Sequence, residues 1–313
     1  MEKKEDVAEK LHEPVLVSEV LEALRVKEIA RSKLACYIDA TVGLGGHTLE
    51  IFKAGTRVLG IEADPDSLEI ARKRLKEACP PTFSLHERGS FKLAHGNFKE
   101  IESIAKDNEF ENVDGVLFDL GISSFQLGGK NVGFSFQDSS APLDMRMDPT
   151  SNEVKASDLL KVLNETQLTE LFAVVITTGK SKLVAKAIVR ERAKKEIQTV
   201  GDFLYTIRAI FRPKKEQNVA TLPFLALRIA VNSELENIKI ALPAAFNVLG
   251  SGGRLVVISF HSGEDRIVKH FFIAKEKEGI ARLVTGKPIL PSYQEIQINP
   301  RARSAKMRIL EKI

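Results

Sequence analysis

The sequence predicts an α/β fold, an open and largely parallel sheet with a helical subdomain inserted into it. Two observations carry the prediction. Short apolar runs alternate with helical patterns through the first half of the chain, which is the mark of βαβ units. A strand-like run at 114–119 is then followed by on the order of a hundred residues before the next such run, too long for an ordinary βα connection, so a further body must be inserted there.

Taken in order, strands are expected near 35–40, 57–62, 92–95, 114–119 and 254–260, with helices at 47–53, 66–78 and 98–106 after the first three. Between 130 and 217 the pattern is mostly helical, with Ser157 or Asp158 and Thr166 or Thr199 as N-caps before apolar-periodic stretches. Residues 222–249 read as one or two helices returning to the core. Gly250 to Gly253 read as a turn into the strand at 254–260, and 305–310 as a strand closing the sheet at an edge. The expected division is a core of 1–129 and 218–313 around an inserted helical subdomain of 130–217.

With 313 residues, 43% hydrophobic and 28% charged, the chain can bury a substantial core. Apolar runs such as Leu255-Val256-Val257-Ile258 fall far short of the roughly 20 residues that span a bilayer, so no membrane segment is expected. Met1 to Lys10 mixes Glu, Asp and Lys without an apolar core. That fits neither a secretory nor a mitochondrial leader and makes the cytoplasm the expected location. Cys36 and Cys79 fit neither a zinc site nor a disulfide framework, so both are expected to be structural thiols and no metal site is expected. A net charge of +4 permits an anionic partner without demanding one.

The first strand ends at Asp39 and the chain continues through Gly43-Leu44-Gly45-Gly46-His47 straight into a helical pattern. A glycine-rich strand-to-helix turn lets a ligand approach the backbone. Further on, the second strand ends at Glu62, a carboxylate placed to hold ribose hydroxyls, with a solvated strand end as the competing reading. A nicotinamide oxidoreductase would use the same two features. Thr48, however, stands where G-x-G-x-x-G puts the glycine that packs the helix under a pyrophosphate. S-Adenosylmethionine has no phosphates to cradle. Phe98, after the third strand, is either a platform for an adenine ring or core. Asp119 interrupts an apolar run at the sheet's carboxyl edge, where ligands of open α/β sheets bind.

Several motifs then occur in order along nearly the whole chain. They include His12-Glu13-Pro14-Val15-Leu16, Gly45-Gly46-His47, Asp119-Leu120-Gly121-Ile122-Ser123-Ser124 and Gly133-Phe134-Ser135-Phe136. Pro142 to Pro149, Val231-Asn232-Ser233-Glu234-Leu235, Ile258-Ser259-Phe260-His261-Ser262 and Asn299 to Ser304 follow. In these the chain resembles the bacterial small-subunit ribosomal RNA cytosine-N4 methyltransferases, the RsmH or MraW family. The resemblance implies a Rossmann-like class I methyltransferase sheet, S-adenosylmethionine as cofactor, and a cytidine of 16S rRNA in the decoding region as acceptor. It implies cofactor contacts at Gly45, Gly46, His47, Glu62, Phe98, Asp119 and Gln126. The family usually has Asp where Glu62 stands. Other departures, such as Leu127-Gly128-Gly129 for Leu-Asp-Asp and Asn218-Val219-Ala220 at the start of a family motif, fall on what the resemblance implies is the substrate side.

For transfer to a cytosine amine, Asp119 is the expected hydrogen-bond acceptor, with Ser123 or Ser124 orienting the base. Phe134 and Phe136 are expected either as walls for a cytidine withdrawn from its stack or as core. Asp144 and Arg146 either read the base or pair with each other, and His261 is either a substrate contact or a satisfied structural histidine. Lys182, Lys186, Arg190 and Lys194 recur at helical spacing as a stripe suited to RNA phosphates, and Arg301, Arg303, Lys306 and Arg308 add charge on what reads as the wet side of an edge strand. The expected partner is small-subunit ribosomal RNA, with a homodimer as one expected assembly. Two alternatives stay open: a member of the family with a shifted acceptor nucleotide, and an assembly factor that binds cofactor and RNA without transferring the group.

Overall fold

The computed structural model describes residues 14–78, 89–128, 132–211 and 220–313. His12, Glu13, Cys79, Gly129, Asn218 and Val219 lie outside them, as do both boundaries of the expected insertion, 129/130 and 217/218.

Along the chain come α1 (Val17–Ala23), α2 (Val26–Ile29), β1 (Cys36–Asp39), α3 (Gly46–Lys53), β2 (Arg57–Glu62), α4 (Pro65–Glu77), β3 (Ser90–His95), α5 (Ile101–Asp107) and β4 (Val113–Asp119). A helical stretch follows: α6 (Ser124–Gly128), α7 (Ala156–Val162), α8 (Glu165–Ala173), α9 (Thr178–Arg192), α10 (Val200–Ile207) and α11 (Thr221–Val231). Then come α12 (Glu234–Val248), β5 (Leu249–Ser259), α13 (Ser262–Lys277), β6 (Ala281–Leu283), α14 (Tyr293–Ile298) and β7 (Lys306–Lys312). The chain divides into two compact units, one of Met1–Ser123 with Glu236–Ile313 and the other of Ser124–Leu235.

The first unit holds a seven-stranded sheet in the order β3-β2-β1-β4-β5-β7-β6. β1 to β5 pair in parallel, and β7 runs antiparallel between β5 and β6. This is the Rossmann-like class I methyltransferase sheet. Its central strands are unbroken apolar runs because both faces are covered: Tyr37, Ile38, Val116, Leu117 and Leu255 to Ile258 are all buried. On one face, Val15, Leu16, Val20 and Leu24 from the N-terminal segment around α1 close over Tyr37, Leu117, Val256 and Met307 with Ile51 and Phe52 of α3. The strand order reverses between β1 and β4, and ligands of such sheets sit outside the carboxyl ends of the strands at that point. Asp39 and Asp119 are the last residues of those two strands.

Three expectations for this unit need correction. The C-terminal strand is interior to the sheet, because the three-residue β6, too short to show a pattern, adds outside it. Lys306 and Arg308 therefore do not form a free wet face. Arg308 donates to both oxygens of Asp265, at 2.7 and 3.2 Å, and Lys306 Nζ lies 3.7 Å from the same carboxylate. Gly250 to Gly253 belong to β5, absorbed by a register shift against β4 between Val113 and Gly115.

The second unit is helical, as its periodicity predicts. Thr199 does cap α10, its hydroxyl accepting from Asp202 N. Asn164, and not Thr166, caps α8, and Lys155 precedes α7 with Asp158 as the acid of its first turn. α11, expected with the sheet, belongs to this unit. Its Phe224 packs at 5.3 Å from Phe203 of α10, which stacks in turn on Phe172 of α8.

Candidate active site

The glycine turn after β1 is shaped largely by its own neighbours. Gly43 and Gly45 have φ of 54° and 81°, the left-handed region that favours glycine. A Cβ on Gly46 would come 2.9 Å from Pro14 Cγ, and one on Gly45 would come 3.3 Å from Ala71 Cβ. A Cβ on Gly43 would meet only Ser123 Cβ, at 3.9 Å. Two of the three glycines thus let α3 pack against the rest of the unit, and Gly43 leaves room next to Ser123.

Glu62 reaches across to this turn. Its carboxylate accepts from Gly43 N at 2.7 Å and from Asp64 N at 2.9 Å. Burial pushes it up to about 7 from the usual carboxylate range, although the two amides pull the other way. Each oxygen keeps a lone pair, so the group can still accept from a diol. The solvated strand end is not what forms.

Asp39 is buried, accepting from Thr48 Oγ1 at 2.6 Å and Thr41 N at 3.2 Å, and its desolvation raises its pKa. Asp119 stands on the next strand. Its backbone N donates to Thr41 Oγ1 at 2.6 Å, and its Oδ2 lies 3.5 Å from Nδ1 of the buried His47. Its Oδ1 is buried and has no hydrogen-bond partner among the described residues. Burial lifts Asp119 to about 6. His47 opposes the rise, and the charges of Asp39 and Glu264 add to it. Phe98 packs its ring edge-on to Phe118, 5.7 Å between centroids, in a short turn capped by Asn97, and stays partly exposed.

His261 sits beside this edge, where Leu120 N donates to Ile258 O. Its Nδ1 accepts from Gly263 N at 3.2 Å, capping α13, and its Nε2 lies 3.1 Å from Glu264 Oε1 without the alignment of a hydrogen bond. The ring is committed to the helix cap, which favours the structural reading of this residue.

The first unit therefore brings together Gly43 to His47, Glu62, Asp119 and Ser123. Thr41, Thr48 and Glu264 belong with them, and none of the three was expected as a site residue. Thr41 carried a signal, a hydroxyl directly after a strand end, where such side chains bond to backbone.

The remaining expected residues lie in the second unit. Gln126 is buried on α6, and the Ser124 side chain lies outside what is described. Asp144 and Arg146 form a two-pronged ion pair at 2.7 and 2.8 Å, with Arg146 Nη1 also donating to Asn152 O, so their groups are spent on each other. Burial raises Asp144, and the guanidinium more than reverses that. Between them Met145 takes φ 62°, held by Asn232, which donates to Met145 O and accepts from Met147 N. Phe134 is buried, and Phe136 packs edge-on to Phe224 at 5.7 Å, which favours the core reading of both. Lys182, Lys186 and Arg190 are exposed on α9, opposite its buried Val184, Ala185 and Ile188. Lys182 and Lys186 have no acidic partner among the described residues, whereas Arg190 and Lys194 flank Glu191 at 3.3 and 3.0 Å.

The turn fits S-adenosylmethionine on two counts: the open side of Gly43 next to a diol acceptor, and the unpartnered Asp119 Oδ1 at the strand edge. Comparison with known proteins bears on the same point. The profile of the MraW methylase family matches residues 9–313. A ribosomal RNA small subunit methyltransferase H of Thermomicrobium roseum is 40% identical over 99% of this chain and 96% of its own. Another, of Dictyoglomus thermophilum, is 38% identical over 97% of each chain. Among solved structures, an rRNA methylase from Streptococcus thermophilus aligns over 94% of this chain and 96% of its own at 10% identity, with a TM-score of 0.44. The chain belongs to the MraW methylase family, with S-adenosylmethionine as its cofactor.

Proposed function

We propose that the protein transfers a methyl group to the exocyclic N4 amine of a cytidine in the decoding region of small-subunit ribosomal RNA. The observation that carries the reading is Asp119 Oδ1, a buried carboxylate oxygen with no hydrogen-bond partner among the described residues, at the strand edge beside the glycine turn. The relatives' names supply the class of acceptor.

Gly43 to Gly46, Glu62 and Phe98 would hold the cofactor, Glu62 through the ribose hydroxyls. When bound, it supplies a methyl group already activated on a sulfonium, whose S–C bond breaks toward sulfur as the amine nitrogen bonds the carbon. The protein's task is then placement more than proton abstraction. A cytosine amine is a poor nucleophile because its lone pair is delocalised into the ring. Asp119 Oδ1 accepts one amine N–H, which returns electron density to nitrogen, and takes that proton when the nitrogen becomes positive. Ser123, next to the open side of Gly43, orients the base. The exposed cations of α9 attract RNA phosphates without regard to sequence.

The test is transfer from labelled S-adenosylmethionine to small ribosomal subunits, followed by nucleoside analysis. Label should appear in N4-methylcytidine. Label in another nucleoside would move the acceptor, and saturable cofactor binding with no label on any RNA would remove the enzyme reading altogether.

A further inference from the structure

His47 is a buried histidine in the first turn of α3, and each of its ring nitrogens faces an oxygen. Nε2 lies 2.9 Å from the Val15 carbonyl oxygen. A carbonyl only accepts, so Nε2 carries a hydrogen and donates it. Nδ1 lies 3.5 Å from Asp119 Oδ2. With Nε2 protonated, a neutral ring presents a bare lone pair at Nδ1, which a carboxylate would repel. The contact is attractive only when one further proton lies between the two groups, on the ring or on the acid.

Around this pair the other constraints converge. Thr48, the next residue of α3, ties that turn to Asp39 on β1, and Thr41 accepts from the backbone of Asp119 on β4. The charged groups facing Asp119 are Asp39 from β1, Glu264 from α13 and His47 from α3. His47 is the one among them able to carry positive charge. Asp119 Oδ2 thus faces His47, and Oδ1 is left without a hydrogen-bond partner among the described residues.

We propose that His47 is a positioning residue for methyl transfer, braced on Val15 and holding Asp119 by Oδ2 so that Oδ1 alone meets the acceptor amine. The proposal rests on the reading of Asp119 as that acceptor. It gives the His47 side chain a role other than the cofactor contact that the family resemblance implies, and it ties the N-terminal segment at Val15 to the reacting edge of the sheet.

His47→Ala, His47→Asn and Asp119→Asn separate these roles. In His47→Ala, kcat on small ribosomal subunits should fall about 30-fold or more while cofactor Kd and RNA KM stay within about threefold, the pattern of a lost transition-state interaction. His47→Asn, whose amide can donate toward Oδ2, should recover most of the rate at pH 8. It carries no charge, so its acid limb should stay displaced to higher pH than in the wild type. A cofactor Kd that rises in step with the loss of kcat would make His47 a cofactor contact and overturn the proposal, as would an unchanged kcat. Should His47→Ala fail to fold, the imidazole ¹⁵N spectrum of the wild type decides the question. The His47 Nδ1 signal should shift on Asp119→Asn, and an unaltered signal would overturn the pairing. Transfer at the wild-type rate by Asp119→Asn would instead remove the role of Asp119 itself, a distinct outcome.

Discussion

Asp119 and Glu62 are carboxylates that folding takes out of water at the carboxyl edge of the sheet. Burial raises Asp119 from 3.8 to about 6 and Glu62 from 4.5 to about 7. The folded chain therefore holds protons at these sites more tightly than the unfolded chain does. Their contribution to stability is fully present below about pH 4 and is lost as pH rises through 6 to 7. Asp119→Asn, which removes one buried charge, should then raise the melting temperature at pH 8, by about 1–3 kcal/mol of stability, and do little at pH 4. A lower melting temperature at pH 8 would mean that the carboxylate is stabilising. In the proposed binding mode ribose hydroxyls donate to the ionised form of Glu62, and cofactor Kd should then weaken about three- to tenfold from pH 8 to pH 6. Titration calorimetry of Glu62→Gln should show weaker binding without that slope. Both acids were legible in the sequence because a carboxylate closing an apolar strand is conspicuous. Their partners were not: Thr41, His47 and Glu264 reach Asp119 from three other elements, and spacing along the chain does not encode such meetings.

α3 begins where Gly46 lies against Pro14, and a Cβ there would sit 2.9 Å from the proline ring. Gly46→Ala should cost about 1–3 kcal/mol, the usual cost of overpacking, read as a lower melting temperature. A stable Gly46→Ala protein with a weakened cofactor would instead assign this glycine to the ligand. On α9 the buried face of Val184, Ala185 and Ile188 fixes the opposite, basic face outward. Lys186→Ala should raise RNA KM, leave cofactor Kd alone and reduce the salt slope of RNA binding by about one. An unchanged slope would mean that this face touches no phosphate. The periodicity of α9 made its wet side readable. The same kind of pattern could not say which core covers α11, because Phe224 and Leu227 look alike on a helix facing a sheet or facing other helices. The alternation at 305–310 likewise marked a strand but not its place, since three residues of β6 were enough to cover the expected edge.

At the scale of the whole molecule, the parallel sheet and the acids at its carboxyl edge followed from the βαβ rhythm and the strand ends, whereas the strand order, and with it the switch point, came only with the fold. So did the antiparallel β7 and the limits of the second unit, because they depend on contacts between segments far apart in sequence. What the fold accomplishes is to bring a glycine turn, the Glu62 carboxylate that accepts from it and the Asp119 carboxylate, whose Oδ1 has no partner among the described residues, to the carboxyl edge of a single sheet. The central claim is that this oxygen acts on the acceptor amine. Single-turnover methyl transfer to small ribosomal subunits, at saturating S-adenosylmethionine, tests it by comparing the wild type with Asp119→Asn. The variant should bind cofactor within about threefold of the wild type and transfer at least about a hundredfold more slowly. Transfer at an undiminished rate would contradict the account.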